Sequence, residues 1–220
     1  MIKLIDASKN ILGESIFTHI NLSIAKGEFL IIIGKSGEGK STLLSILAIE
    51  DCLSQGSLLI NKEVMEFENS AQKNRVKRKI GRIFQDYKLI ADLTVAENIA
   101  YPLECRGDLD KIEIKKRIHE SLSEIGILNI AHEFPETISG GEQQRVAIAR
   151  CLAQQSYLIV ADEPTSNLDP DNSKKIFEIL SIIAKKGIPV IVATHDLQNL
   201  KEYPTRVLEL SGGELIEHIH

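Results

Sequence analysis

Residues 34–42, GKSGEGKST, form a glycine-rich segment that directly follows the apolar run Phe29–Ile33. A strand, a glycine-rich bend and a helix that begins near Lys40 together make the context in which G-x-x-x-x-G-K-[ST] cradles phosphate groups. Consecutive backbone N–H groups in such a loop can point into one concavity, and the N-terminus of the next helix adds partial positive charge. A chance match of this kind arises in roughly one chain in a hundred of this length, which disfavours a plain glycine turn. The segment therefore predicts a nucleoside-triphosphate site.

Every residue of this segment is a candidate phosphate contact: Gly34, Lys35, Ser36, Gly37, Glu38, Gly39, Lys40, Ser41 and Thr42. The Lys40 ammonium supplies a full positive charge for the β- and γ-phosphates, and the Ser41 hydroxyl is placed to ligate Mg²⁺. The glycines permit φ angles that other residues resist, so the backbone can wrap closely around a phosphate.

Length and composition are those of an ordinary globular protein, with 220 residues, 43% of them hydrophobic and 26% charged. Such a chain suits one domain, or one domain with lobes, and can bury a sizeable core. The net charge of −5 argues against a surface that coats nucleic acid, and no direct contact with nucleic acid is expected. Cys52, Cys105 and Cys151 contain no CxxC pair and indicate free thiols in a reducing compartment. No apolar stretch approaches the roughly 20 residues needed to cross a bilayer, so work at a membrane would go through a partner.

Apolar patterning predicts strands that alternate with helices along most of the chain. Strands are predicted over residues 2–6, 16–24, 29–33, 56–61, 80–84, 157–161, 189–194, 206–210 and 215–219, the last two as a hairpin-like pair. Helices are predicted over residues 41–48, 111–125, 139–153 and 171–185, and helical periodicity prevails from Asp86 to about Gln155. The alternation predicts an α/β fold with a mainly parallel sheet.

Four predicted strands end in polar groups suited to phosphate chemistry. These groups are Gly34 with its loop, Gln85, the pair Asp162 and Glu163, and His195. Ligands of parallel sheets bind beyond the carboxyl ends of the strands, so the four groups are expected to meet at one site. That coincidence is stronger than the signal from any one of these residues.

Each of these groups has a catalytic and a purely structural interpretation. Asp162 is the expected Mg²⁺ ligand through water, together with Ser41 and Gln85, and Glu163 is the expected general base for the attacking water. Gln85 would also sense that water, and His195 would donate to the γ-phosphate. Alternatively, the two acids cap the next helix, Gln85 is an ordinary strand-end amide and His195 is a surface histidine. The phosphate loop upstream favours the catalytic interpretation.

Residues 139–143, SGGEQ, combine the start of a helix with two glycines. Ser139 at the N-cap and Glu142 three residues later form a capping box. Gly140 and Gly141 lower helix propensity by up to about 1 kcal/mol each, which makes sense if a phosphate approaches bare N–H groups there. Two arrangements remain open at this point: this helix end meets the nucleotide of its own chain, or that of a second copy.

Two charged segments have no role in this site. Residues 70–82 are basic, and either form a solvated helix face or contact acidic head groups or a partner; their cations are Lys73, Arg75, Lys77, Arg78, Lys79 and Arg82. The ending at residues 217–220 contains His218 and His220, and it is interpreted as a tail and not as a metal site.

Together these motifs resemble the ATP-binding cassette (ABC) ATPase family over essentially the whole chain. The family's motifs match Walker A at 34–42, the Q-loop at Gln85, the signature ISGGEQQR at 138–145, Walker B at 157–162 followed by Glu163, the D-loop SNLD at 166–169 and the H-loop at His195. Within the family, residues 80–107 resemble the branch that contains the cell-division protein FtsE, the lipoprotein-release ATPase LolD and the exporter MacB, and they are most similar to FtsE.

The resemblance implies one domain over residues 1–220, with a P-loop NTPase (RecA-like) α/β core, an antiparallel β lobe and an α-helical lobe at roughly 86–155. It implies an ATP hydrolase that uses ATP and Mg²⁺. Two copies would close head-to-tail around two ATP molecules, with Asp169 coupling the two sites; the residues meeting the other copy's γ-phosphate would be Ser139, Gly140, Gly141 and Glu142. The groove after Gln85 would receive an integral membrane subunit, which would hold a cytoplasmic protein at the inner face of the cell membrane.

The region after the first strand departs from the family pattern. An aromatic residue that stacks on adenine is usual there, whereas this chain has Asn10-Ile11-Leu12-Gly13. Apolar contact by Ile11 and Leu12 would replace stacking, which puts selectivity for the base in question.

Several functions remain as alternatives. An FtsE-like role in cell division leads, and a LolD- or MacB-type exporter of lipoproteins or small molecules is the alternative in the same class. A soluble ABC-type ATPase acting on DNA or ribosomes would carry long coiled coils or tandem cassettes. A small-molecule P-loop kinase would need an acceptor lid and would have no use for residues 138–145. A scaffold that binds ATP without hydrolysis would be recognised by turnover measured with and without its partner.

Overall fold

The computed structural model describes residues 1–195, 203 and 206–218. The strands in this part of the chain are β1 (Ile2–Ile11), β2 (Glu14–Ile24), β3 (Phe29–Ile33), β4 (Gln55–Ile60), β5 (Glu63–Val64), β6 (Ile80–Ile83), β7 (Leu158–Asp162), β8 (Val190–Ala193), β9 (Arg206–Ser211) and β10 (Glu214–His218). The α-helices are α1 (Lys40–Leu47), α2 (Ser70–Lys77), α3 (Val95–Glu104), α4 (Lys111–Ile125), α5 (Gly140–Ala153) and α6 (Pro170–Lys185), with short 3₁₀ turns at Leu128–Ile130 and Pro135–Thr137.

A six-stranded sheet in the order β10-β9-β3-β8-β7-β6 forms the centre of the molecule. All neighbours in it are parallel except the terminal pair β9 and β10. Its inner strands are short apolar runs that are almost wholly buried, as expected when helices cover both faces of a parallel sheet. The register pairs Ile32 with Ala193, Ala193 with Asp162, and Ala161 with Ile83. Four adjacent strands therefore deliver their carboxyl ends to one edge.

A second sheet of four antiparallel strands, in the order β2-β1-β4-β5, packs over α1. The long hairpin of β1 and β2 is irregular, with register shifts around Asp6, whose φ is 50°. Its turn carries Leu12 and Gly13 at positive φ. One hydrophobic cluster joins this sheet, α1 and one face of the central sheet, with Phe17 fully buried inside it.

Helices α3, α4 and α5 pack on one another and on the opposite face of the central sheet. The buried Asn98 of α3 anchors the loop that enters this helical segment, because its Oδ1 accepts the Ile90 N–H at 2.7 Å. Its Nδ2 donates to the carbonyls of Ile90, Leu93 and Thr94 at 2.9–3.0 Å. The loop between β6 and α3 is thus tied to the helices and to the sheet. No helix among the described residues is both long and apolar enough to cross a membrane.

The observed elements follow the predicted ones closely, with three differences. Strands β1 and β2 extend to Ile11 and back to Glu14, further than predicted. The helical stretch contains α3 as a separate helix that continues through Pro102. The basic residues 70–82 do not share one helix face, because α2 ends at Lys77 and Arg82 lies nearly buried on β6. Ile219 and His220 lie outside the described residues.

Candidate active site

The polar strand ends line one cavity of about 980 Å³ at the carboxyl edge of the parallel sheet. It is formed by the turn after β3, the loop after β6 and the ends of β7 and β8, with lining residues Gly34, Lys35, Ser36, Gly37, Gly39, Lys40, Ser41, Thr42, Phe84, Gln85, Asp162, Glu163, Ser166, Asn167 and His195 among them. The structure thus brings together the phosphate-loop residues and all four strand-end groups.

The phosphate loop passes directly from β3 into α1. Gly39 takes a left-handed φ of 96° just before the helix begins at Lys40, and added Cβ atoms at Gly34 and Gly39 would collide with Leu210 and Ile16 respectively. Glycine is therefore required at both positions on steric grounds. The Lys40 Nζ donates to the carbonyls of Gly34 at 2.7 Å and Lys35 at 3.0 Å, so the ammonium lies inside the curve of the loop.

Glu38 differs from its neighbours in the loop, since its side chain faces away from the cavity. Its Oε2 accepts the N–H of Gly212 at 3.0 Å, in the turn between β9 and β10. This contact, with the close approach of Leu210 to Gly34, braces the phosphate loop against the C-terminal hairpin.

The oxygen groups that would hold Mg²⁺ lie in the same cavity: the Ser41 hydroxyl, the Gln85 amide and the Asp162 carboxylate. These are the hard oxygen donors that Mg²⁺ prefers, and few protein ligands are typical because the ion keeps several waters. The Asp162 Oδ2 also lies 3.6 Å from Arg82 Nη2, whose guanidinium is 3.4 Å from Glu50 Oε2 through Nε. Burial lowers the pKa of Arg82, while Glu50 and Asp162 oppose that shift. The residues present therefore fit the ion, with Arg82 holding the carboxylate in place.

Glu163 and His195 form a hydrogen-bonded pair, with Glu163 Oε1 at 2.9 Å from His195 Nδ1. Glu163 has a φ of 46° and donates its N–H to the Ala193 carbonyl at 2.9 Å, so its backbone is held at the end of β8 in an uncommon conformation. Its second oxygen, Oε2, is buried and accepts no hydrogen bond from any described residue. One oxygen of this carboxylate is therefore hydrogen-bonded and the other is available, so the group is suited to accept a proton at this edge of the sheet.

The signature residues lie elsewhere in the chain, at the N-terminus of α5. Ser139 is the N-cap, and its Oγ donates to Glu142 Oε2 at 2.6 Å in a complete capping box. That hydrogen bond is the main reason why the pKa of Glu142 lies below its ordinary value. An added Cβ at Gly140 would stand 2.9 Å from Tyr87 Oη. Residues 139–142 do not line the cavity that holds the phosphate loop.

Asp169 also lies outside the cavity and caps α6. Its Oδ1 accepts the backbone N–H of Asn172 at 2.9 Å, and its Oδ2 accepts the Asn172 Nδ2 at 2.6 Å. The backbone hydrogen bond is the largest cause of a lowered Asp169 pKa. The neighbouring Asn167 does line the cavity, and its Nδ2 donates to the Gln85 carbonyl at 3.2 Å. The loop before α6 therefore contacts the loop after β6.

A separate groove of about 380 Å³ lies behind Gln85, between the sheet and the helical segment. Its lining includes Glu50, Lys77, Arg82, Phe84, Lys88, Ile90, Tyr101, Arg150 and Gln154. Arg150 donates to the carbonyls of Lys88 at 2.8 Å and Tyr87 at 3.1 Å. Tyr87 and Lys88 both have positive φ, 58° and 49°, so this arginine holds a strained turn two residues after Gln85.

The sequence analysis did not identify three residues that hold parts of the site in place: Arg82, Asn167 and Arg150. Arg82 was assigned to a basic surface stretch, because its acidic partner Asp162 is 80 positions away. Asn167 lies within the D-loop motif but was given no role of its own, and nothing in the sequence distinguished Arg150 from ordinary polar residues. Ile11 and Leu12, the expected contacts for the base, are exposed at the hairpin turn and do not line the cavity.

Comparison with known proteins bears directly on these motifs. The model of the family described as "ABC transporter" matches residues 17–166, which is more than half of the chain. The chain belongs to the ABC transporter family. The family predicted from the motifs is thereby confirmed.

Similar family members differ in their named roles. The cell division ATP-binding protein FtsE of Bacillus subtilis is 38% identical over 93% of this chain and 89% of its own length. The lipoprotein-releasing system ATP-binding protein LolD of Aquifex aeolicus is 41% identical over 96% of this chain and 94% of its own. The methionine import ATP-binding protein MetN of Clostridioides difficile is 41% identical over 90% of this chain, but the match spans only 62% of that protein. These identities are too alike to select one role.

Solved structures of family members share the fold. The dimeric structure of the ABC transporter cassette MJ0796 has a TM-score of 0.87 at 36% identity, covering 99% of this chain and 98% of that one. A dimeric post-hydrolysis state of the same cassette, bound to ADP and Pi, has a TM-score of 0.86. The predicted P-loop α/β fold is confirmed, and the chain is an ABC-type ATPase.

Proposed function

We propose that this ATPase works as a homodimer that closes head-to-tail on ATP and thereby drives or gates an integral membrane partner. The observation that carries the proposal is the separation, within one chain, of the phosphate-loop cavity from the glycine-rich N-terminus of α5. The helix end has phosphate-binding chemistry, but among the described residues it does not line the phosphate-loop cavity. A second copy, turned head-to-tail, would bring each helix end to the other copy's cavity. The dimeric structures of MJ0796 support this arrangement.

In the proposed reaction, the phosphate loop binds the triphosphate and Lys40 neutralises the β- and γ-phosphates. Glu163 accepts a proton from the attacking water through its unengaged oxygen, and His195 holds that carboxylate and contacts the γ-phosphate. Ser139, Gly140, Gly141 and Glu142 of the second copy complete the phosphate shell, and Asp169 couples the two sites. Ser41, Gln85 and Asp162 would hold Mg²⁺, which supplies positive charge to the phosphate oxygens.

The proposed membrane partner binds in the groove behind Gln85. The lining of the groove combines the apolar side chains of Phe84 and Ile90 with the cations Lys77, Lys88 and Arg150. It adjoins the loop that carries Gln85, so an occupant can act on the catalytic cavity without entering it. Through this partner the ATPase would sit at the cytoplasmic face of the membrane, as the named roles of FtsE, LolD and MetN suggest.

The partner decides between the finer roles. We favour an FtsE-like role in cell division, supported by the features of residues 80–107 and by the 38% identity to FtsE over 93% of the chain. Export of a LolD or MacB type is the alternative, supported by 41% identity to LolD. Purification of the complex from detergent and identification of the membrane subunit distinguishes these two roles.

The dimer is tested with Glu163→Gln, which keeps the shape of the side chain but cannot accept the proton. We expect this variant to bind ATP without turnover and to double in mass by light scattering, while the parent chain remains a monomer after hydrolysis. A strictly monomeric Glu163→Gln protein saturated with ATP and Mg²⁺, alone and with its partner, contradicts the proposal.

A matched control separates the capping role of Ser139 from its proposed role at the dimer. Thr94 caps α3 with the same capping box, through Glu97, so Thr94→Ala and Ser139→Ala remove equivalent local contacts, each worth about 1 kcal/mol. In the Glu163→Gln background, only Ser139→Ala is expected to weaken the ATP-dependent dimer. Equal effects of the two variants would mean that Ser139 does nothing beyond capping its helix.

A further inference from the structure

The segment from Ser70 to Gln85 contains six cations and no acid, in a chain whose net charge is −5. Three of these cations are consecutive and have exposed side chains: Lys77, Arg78 and Lys79. Within the described part of the chain, no acidic group lies within 4 Å of any of the three. A run of cations without acidic partners raises the local positive potential, which attracts anions.

These cations continue into a shallow cavity of about 250 Å³, with Arg75, Arg78, Lys79 and Arg106 in its lining. We call these four residues the basic patch. Two of them have acidic partners: Arg75 lies 3.0 Å from Glu63, and Arg106 makes a bidentate contact with Asp108 at 2.8 and 3.0 Å. The patch therefore has two positive charges without acidic partners among the described residues, on Arg78 and Lys79, beside two guanidinium groups that do have such partners.

The basic patch adjoins the groove behind Gln85 at two points. Lys77 lines that groove and is followed directly by Arg78. Arg106 Nη1 donates to the carbonyl of Gln154 at 3.4 Å, and Gln154 also lines the groove. If an integral membrane subunit occupies the groove, as proposed above, the patch lies beside that contact and is held near the membrane.

We propose that the basic patch binds the phosphate groups of anionic lipid head groups. Guanidinium groups suit phosphate because they can donate two parallel hydrogen bonds, and lysine adds a mobile point charge. The patch is small, which suits one or two head groups and not the extended phosphate track of a nucleic acid. The surface elsewhere is acidic on balance, so the patch also fixes which side of the molecule approaches an anionic membrane. This inference rests on the proposed function only for the location of the membrane.

The test is flotation of the full chain with vesicles of phosphatidylcholine containing phosphatidylglycerol, beside vesicles of phosphatidylcholine alone. We expect binding only to the anionic vesicles, and its loss at high salt because screening shortens the reach of the patch. The double variant Arg78→Ala with Lys79→Ala is expected to lower the partition coefficient about thirtyfold, given a roughly fivefold contribution from each cation near an anionic surface. Neither side chain makes a hydrogen bond to a described residue, so the variant is expected to stay folded, and thermal unfolding checks this.

The matched control removes the same charge elsewhere. Lys115 and Lys116 are exposed on α4 and line neither the cavity of the patch nor the groove, and Lys115→Ala with Lys116→Ala is expected to leave vesicle binding within about twofold of the parent. Equal losses in the two double variants would show that net charge alone matters and would overturn the proposal, as would unchanged binding by the patch variant. Inorganic phosphate is also added at a concentration equal to that of the anionic lipid. If it displaces the chain from the vesicles, the patch binds free phosphate, and the lipid proposal is overturned. The dimer of Glu163→Gln is measured without lipid, so its outcome tests the proposed function independently of the lipid proposal.

Discussion

Arg150 is the clearest place to test how the groove communicates with the catalytic cavity. Its guanidinium lines the groove and donates hydrogen bonds of 2.8 and 3.1 Å to the carbonyls of Lys88 and Tyr87. Both acceptor residues have a positive φ, which costs each side-chain-bearing residue about 1 kcal/mol or more. The turn that follows Gln85 is therefore held in a conformation that it would not keep alone.

The expected size of the effect follows from these two bonds. A hydrogen bond to a charged group contributes about 1.5–3 kcal/mol, but the freed carbonyls of this turn can bond to water, so Arg150→Ala should lower the free energy of unfolding by about 2 kcal/mol in total. For a chain of this size, that corresponds to a fall in Tm of roughly 4–8 °C. Arg150→Lys keeps the charge and one bond, and should lose about half as much.

The catalytic consequence is measured by steady-state hydrolysis of ATP. Without these bonds the turn can move, and Gln85 can leave the cavity. If the catalytic position of Gln85 loses 2 kcal/mol of stabilisation, kcat falls by up to roughly thirtyfold. KM for ATP should change little, because the phosphate loop is untouched. Arg117→Ala is the control, since Arg117 is similarly buried in α4 and pairs with Glu113 at 2.7 Å, far along the chain from the Gln85 loop. It should lower Tm without lowering kcat. If Arg150→Ala matches the parent in kcat, or if both arginine variants lose kcat equally, the reasoning is refuted.

Three further predictions concern stability and the thiols. Gly81→Ala should lower Tm because its Cβ would stand 2.7–2.8 Å from the Cys151 side chain, an overpacking that costs about 1–3 kcal/mol; thermal unfolding measures it, and an unchanged Tm would contradict the packing described. Burial raises the pKa of Cys151 to about 11, so a thiol reagent at pH 8 should label the exposed Cys52 and Cys105 and reach Cys151 only after denaturation. Because the thiol of the unfolded chain ionises near pH 9 and that of the folded chain only near pH 11, the contribution of Cys151 to stability is present below pH 9 and is lost as the pH rises towards 11. The capping-box hydrogen bond lowers the pKa of Glu142 in the folded chain, so the contribution of Glu142 to stability is present above its ordinary pKa of 4.5 and is lost as the pH falls through the lower folded pKa. Glu142→Gln should flatten that part of the pH–stability profile.

The central sheet could be predicted from the sequence because its strands are short, β-branched runs with polar residues directly after them. Helix α4 was predicted at its observed bounds from its apolar periodicity, and the structure shows that Asp110 caps it and Gly126 ends it. The end of β1 was missed, because register shifts after Leu4 interrupt the alternation of buried and exposed residues on which strand prediction depends. Helix α3 was not separated, because Pro102 normally argues against a helix interior.

Much of the candidate site was also predictable, because the carboxyl ends of adjacent parallel strands must share an edge. What could not be predicted are contacts between residues distant in the chain. Arg82 looks like any cation of a basic stretch until Asp162 and Glu50 are seen beside it. Likewise, no local pattern reveals that Arg150 reaches the carbonyl oxygens of the loop after β6.

The C-terminal hairpin has a consequence for how the protein is made. Strand β9 pairs with β3, and the N–H of Gly212 bonds to Glu38, a residue 174 positions earlier. A ribosome that has synthesised everything up to β8 therefore displays a phosphate loop without its brace, and one long side of β3 with unpaired backbone groups. Such an open strand edge invites association with other chains. The braced form of the phosphate loop therefore depends on residues that are synthesised long after the loop itself.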